Sequence, residues 1–140
     1  MAVKAKELRY AVDLRRGGAL REETGVELVV PPDWTPEHLL LAALLRCSLE
    51  SLGHHARRAG VDVASAAGSA RTLVTRREED GRYATVEADL ELDIELVPVP
   101  EQEALAELLA KAERDCFVGA SLRIAPTYRW TVNGRTLPRV

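Results

Sequence analysis

The sequence predicts one α+β domain, and three observations lead there. Its 140 residues suit a single core that needs no disulfide staples. Two segments carry helix signals, around 35–60 and 100–115, and paired strand patterns precede and follow the first of them. No repeat, linker or low-complexity stretch divides the chain, so residues 1–140 read as one domain.

Each element has its local reason. ELRYAVDL (7–14) and VELVV (26–30) read as strands, joined by the charged, Gly-containing connection RRGGALREETG. Pro31 and Pro32 stop the second strand. Thr35 suits an N-cap, Pro36 the first helical position and Glu37 the positive end of the helix dipole. That helix runs to about Arg58 and ends near Gly60.

The first half of the helix, LLLAALL, is apolar on every side and predicts burial all round. Its second half, ESLGHHARR, is polar and predicts a surface segment. A chain this short rarely encloses a whole helix, so a second subunit is expected to cover part of it.

Residues 61–77 and 82–97 predict a long hairpin around EEDGR. In the second strand Val86, Ala88, Leu90, Leu92, Ile94 and Leu96 alternate with an acidic row from Thr85 to Glu95, a period of two that puts one face on a core and one in water. A second helix opens at Pro100, with its acids early and a Leu105, Leu108, Leu109, Ala112 stripe. Cys116 follows in a short loop, CFVGAS. A last strand over 122–132, interrupted at Pro126, is turned back by NGRTL.

Composition excludes several functions. The chain is 46% hydrophobic and 29% charged, with a formal net charge of −3 and no basic stripe, so no nucleic-acid partner is expected. MAVKAKELRY has no apolar h-region, and the run Leu39 to Leu45 is too short to span a bilayer. The expected setting is the cytoplasm, without membrane attachment, where structural disulfides are rare. Cys47 and Cys116 are then either two buried thiols or a redox couple.

Taken alone, Cys47 reads as a small buried hydrophobe, and apolar surroundings raise a thiol's pKa. To be a nucleophile it needs a cation nearby, and adjacent Arg46 points to another side of the helix. His54 and His55 fall about two turns beyond it, but neighbouring helical residues diverge by about 100° and the spacing matches no standard zinc pattern. No metal or other cofactor is expected.

TPEHLLLAALLRC (35–47) resembles the helix motif of the OsmC/Ohr family (osmotically induced and organic hydroperoxide resistance proteins), of the form [NT]-P-E-x-L-[LF]-x-A-x-x-x-x-C. Thr35, Pro36, Glu37, Leu39, Leu40, Ala42 and Cys47 occupy its fixed positions. Cys116 falls where the family places its second cysteine, and the element order matches over nearly the whole chain.

The resemblance implies an OsmC-like fold, with antiparallel sheets around a long buried central helix in an intertwined homodimer. It implies a thiol peroxidase that reduces organic hydroperoxides, with Cys47 becoming a sulfenic acid and Cys116 condensing with it to a disulfide. A dithiol reductant, in the family often a lipoyl-bearing protein, would reopen that bond. It further implies a hairpin arginine paired with Glu37; Arg16 is the best match, with Arg15 and Arg21 the alternatives. A guanidinium would favour the thiolate and stabilise charge as the O–O bond breaks.

Two departures stand out: CFVGAS replaces the family's CPYSNA-like segment, and PPDW is short where organic hydroperoxide members carry a Gly-rich loop. Both point to an OsmC-like branch beside those peroxidases. Trp34 and Phe117 either wall an apolar pocket or fill core. A non-catalytic homodimeric binding or redox-sensing domain is the competing reading, and a zinc module the third.

Overall fold

Alternation along residues 86–96 organises the larger part of the molecule. In the computed structural model, which describes residues 3–138, Ala88, Leu90, Leu92, Ile94 and Leu96 are all buried while Glu87, Glu91, Asp93 and Glu95 face water. Met1, Ala2, Arg139 and Val140 lie outside the described residues, including the start of the segment read for a signal peptide.

The chain forms two units, Met1–Thr35 and Pro36–Val140. The first holds β1 (Val12–Leu14), β2 (Leu20–Glu22) and β3 (Glu27–Leu28) in an antiparallel meander. This corrects the expected two-strand hairpin. The connection RRGGALREETG contributes a strand of its own, because Gly18 (φ 93°) and Gly25 (φ 101°) turn the chain tightly on either side of it. Leu14, Leu20 and Leu28 stand in register across the three strands, and Asp13, Arg21 and Glu27 form the neighbouring row.

The second unit begins with α1 (Pro36–Arg58), followed by β4 (Asp62–Arg76) and β5 (Tyr83–Val97). Two backbone bonds close α1: Val61 N–H to Ala56 O (2.8 Å) and Gly60 N–H to Arg57 O (3.1 Å), with Gly60 at φ 72°. This is the left-handed glycine cap that sequence reading placed near residue 60.

Next come α2 (Gln102–Arg114), α3 (Phe117–Ser121), β6 (Thr127–Val132) and β7 (Arg135–Thr136). α2 starts two residues later than expected, and CFVGAS is a short helix rather than a loop. The sheet order is β4-β5-β6-β7, and β6 runs parallel to β5, so this sheet is mixed rather than wholly antiparallel. β6 begins only after Pro126, and Asn133 (φ 50°) with Gly134 (φ 81°) makes the two-residue turn into β7.

The main core joins Leu52 and Ala56 of α1, Leu92, Ile94 and Leu96 of β5, the α2 stripe, Trp130 and Val132. α1 therefore departs from expectation in its second half, which was expected at the surface. Leu39, Leu40 and Leu41 are only half-buried in the chain, whereas the polar second half buries Ser51, Leu52 and Ala56. The buried line follows helical period (44, 48, 51, 52, 56) rather than composition. Among the described residues no helix is long and apolar enough to cross a membrane.

Candidate active site where α1 meets α3

Cys47 lies midway along α1, half-buried, and Cys116 stands at the N-cap of α3, fully buried. The two are packed into one cluster with Leu44, Ala88 and Leu90. Both are free thiols. Cys47 Sγ accepts the Val118 N–H at 3.5 Å, and Cys116 Sγ accepts the Gly119 N–H at 3.4 Å. The first turn of α3 thus supplies one backbone donor to each sulfur. The short helix absent from sequence reading is what turns this segment's amides toward the thiols.

Burial pushes the Cys47 thiol above its ordinary pKa, the Val118 amide partly offsets this, and nearby Cys116 pushes it up again. The neighbourhood that brings the cysteines together therefore disfavours the thiolate. A cation would have to reverse that balance. Arg46 is not the source: its exposed guanidinium lies 3.8 Å from Glu50.

Beside Cys47 opens a cavity of 360 Å³ lined by Glu50, Ser51, His54, His55, Asp115 and Phe117 as well as the thiol. His55 Nε2 lies 2.7 Å from Asp115 Oδ2. Arg114 grips the same carboxylate at 2.9 and 3.0 Å, and this pair, with His55 second among the hydrogen-bond partners, holds the Asp115 carboxyl down at about 2. Both histidines line the cavity, their rings 5.0 Å apart and nearly perpendicular. Among the described residues no three His, Cys, Asp or Glu side chains gather closely enough to hold a metal. Phe117 is exposed at the cavity and Trp34 is also exposed, so neither fills core.

The remaining candidates are on the surface of their own units. Glu37 is exposed in the first turn of α1. Arg15 and Arg16 are exposed in the β1–β2 turn, while Arg21 on β2 donates to Glu27 across the strand pair at 3.0 Å. Arg21 is thus already engaged by a carboxylate, whereas Arg16 projects from a turn.

Sequence reading passed over Ser48 and Tyr128. Ser48 Oγ donates to Cys116 Sγ at 3.6 Å and lies 2.9 Å from Tyr128 Oη. The available signal was positional: Ser48 lies between Leu44 and Leu52 on the buried line of α1, where a polar residue must find a partner.

Two thiols packed together at the junction of a long helix and a mixed sheet define a class of cysteine-pair α+β proteins. Within it, the chain belongs to the family of OsmC-like proteins, whose model matches residues 31–131. Solved structures agree on the fold. An OsmC-like protein of unknown function from Vibrio cholerae superposes with a TM-score of 0.71 at 14% identity, over 89% of this chain and 99% of that one. An OsmC-like protein from Mycoplasma pneumoniae gives 0.67 at 16%, over 92% and 99%. An organic hydroperoxide resistance protein from Elizabethkingia anophelis gives 0.61 at 20%, over 92% and 98%. A comparison with curated protein sequences finds no match.

Proposed function

We propose that this protein is a cysteine-based peroxidase that reduces organic hydroperoxides to alcohols. The observation that carries the reading is the packing of Cys47 against Cys116 in one buried cluster, each sulfur facing an amide of α3. Family membership and the organic hydroperoxide resistance proteins among its structural neighbours support it.

In this reading residues 1–140 act as one domain, in a cytoplasmic homodimer. The Cys47 thiolate attacks the peroxide, breaking the O–O bond; it becomes a sulfenic acid, and the departing alkoxide takes a proton to leave as alcohol. The Cys116 thiolate then attacks the sulfenic sulfur, forming the Cys47–Cys116 disulfide and releasing hydroxide, which is protonated to water. A dithiol, such as a lipoyl group borne on a protein, restores both thiols by exchange. Arg16, held by Glu37, supplies the positive charge that the Cys47 neighbourhood lacks.

One equivalent of cumene hydroperoxide tests this, with free-thiol counts and intact mass as the readout. Both thiols should disappear with a two-hydrogen loss of mass. Cys47→Ser should abolish the reaction, and Cys116→Ser should stop at a product one oxygen heavier. The raised Cys47 pKa favours the rival reading, a non-catalytic binding or redox-sensing domain. Thiols that survive the peroxide would decide for that rival.

A further inference from the structure

Cys116 presents a physical difficulty. It is 0% exposed and surrounded by Leu44, Ala88 and Leu90, yet a thiol that resolves a sulfenic acid must carry charge at the moment it reacts. An ionised sulfur in such surroundings is costly unless donors converge on it. Two do: the Gly119 amide at 3.4 Å, and the hydroxyl of Ser48, itself only 1% exposed, at 3.6 Å.

The direction of the second bond is forced once the sulfur is ionised. A thiolate only accepts, so Ser48 spends its single hydrogen on Cys116. What Ser48 then offers Tyr128 Oη, 2.9 Å away, is a lone pair, and the tyrosine must donate. Tyr128 suits that duty. Burial, first, pushes its pKa upward against the opposing pull of the Ser48 bond, and Cys116 and Glu113 add to the rise, so the phenol keeps its proton. Its ring lies parallel to Trp130 at 5.9 Å, and the Trp130 indole donates to Glu113 at 2.9 Å, which fixes the platform.

We propose that Tyr128 and Ser48 form a donor relay to Cys116, stabilising its thiolate both as the nucleophile that closes the disulfide and as the leaving group when the disulfide is reopened. Ser48 touches the reacting sulfur; Tyr128 is a positioning residue acting through it. The inference rests on the two-cysteine cycle proposed above. In the closing step Cys116 sulfur gives its electron pair to Cys47 sulfur and hydroxide departs. In the opening step an external dithiol attacks Cys47 and the pair returns to Cys116.

The test follows sulfenic-acid formation and disulfide formation separately by rapid mixing with cumene hydroperoxide, trapping the sulfenic acid with dimedone for mass analysis. In Ser48→Ala the ratio of the closing rate to the sulfenic-forming rate should fall about tenfold or more, as expected for a lost hydrogen bond to a charged group. The pH profile of closure should also move upward. Ser48→Thr should restore the ratio, and Tyr128→Phe should lower it about threefold, since it removes a donor one bond away.

A Ser48→Ala protein that closes with the wild-type ratio and pH profile overturns the relay alone. A wild-type protein that forms no disulfide overturns the two-cysteine reading and the relay with it. If Ser48→Ala does not fold, Tyr128→Phe decides, because it deletes one oxygen and leaves the ring on Trp130; an unchanged ratio in it then overturns the relay.

Discussion

At the scale of single residues the central conflict lies in Cys47. Peroxide chemistry needs its thiolate, and its own unit pushes the thiol the other way through burial and through Cys116. A thiol with a raised pKa is mostly protonated at neutral pH, so its reaction rate climbs with pH until the pKa is passed. A guanidinium at the site moves that midpoint down. Removing Arg16 should therefore move the midpoint of the rate of peroxide-driven thiol loss up by about one unit or more, and slow the reaction at pH 7 by about tenfold. Arg21→Ala should do much less, because Arg21 is held by Glu27. A pH–rate series on both variants checks this; an upward shift in Arg21→Ala and none in Arg16→Ala would reverse the assignment. Glu37 and Cys47 could be singled out from the sequence because they stand in one segment, TPEHLLLAALLRC, and Cys116 because it follows the second helix. Ser48 and Tyr128 were not, since their relation crosses from α1 to β6 and only the fold brings them together.

Among the elements, β5 was read almost residue for residue, because burial on one side imposes a strict period of two. β2 and α3 escaped, being three and five residues long. Elements that short show no period, and their existence depends on the turns around them. The α1 stripe was misjudged because composition was weighed above position: His55, Ser51 and Ser48 are polar but lie on or beside the face toward the core. β4 shows a different constraint. A β-carbon at Gly68 would lie 2.7 Å from both the Glu91 carbonyl oxygen and Leu92 Cδ2, and Leu92 is buried in the core opposite it. Since a carbonyl in a sheet ladder cannot swing aside, Gly68→Ala should destabilise the protein by about 1–3 kcal/mol. Urea unfolding should show a lower midpoint with an unchanged slope, and a midpoint equal to wild type would mean that β4 slides freely past β5.

For the whole molecule, the remaining question is what covers the apolar surface that one chain leaves open. Leu14, Leu20 and Leu28 form a row across the first sheet, with Leu14 73% and Leu28 57% exposed, and Val12, Val26 and Val29 are exposed in the same unit. Leu39, Leu40 and Leu41 on α1 are only half-buried. A three-stranded sheet this short has little reason to hold together with its apolar row in water. Fully burying half a dozen such side chains is worth roughly 10 kcal/mol or more, enough to meet much of the cost of association. A second copy of the chain, as in the homodimer proposed above, would account for both patches without invoking another molecule, because a two-fold pair buries the same surfaces twice. Light scattering after size exclusion should accordingly give twice the 15.4 kDa of one chain at micromolar concentration. Leu28→Asp, which puts a charge into the row, should shift the population to monomer and lower the melting temperature by several degrees. A wild-type protein of one-chain mass would mean that these leucines serve some other partner.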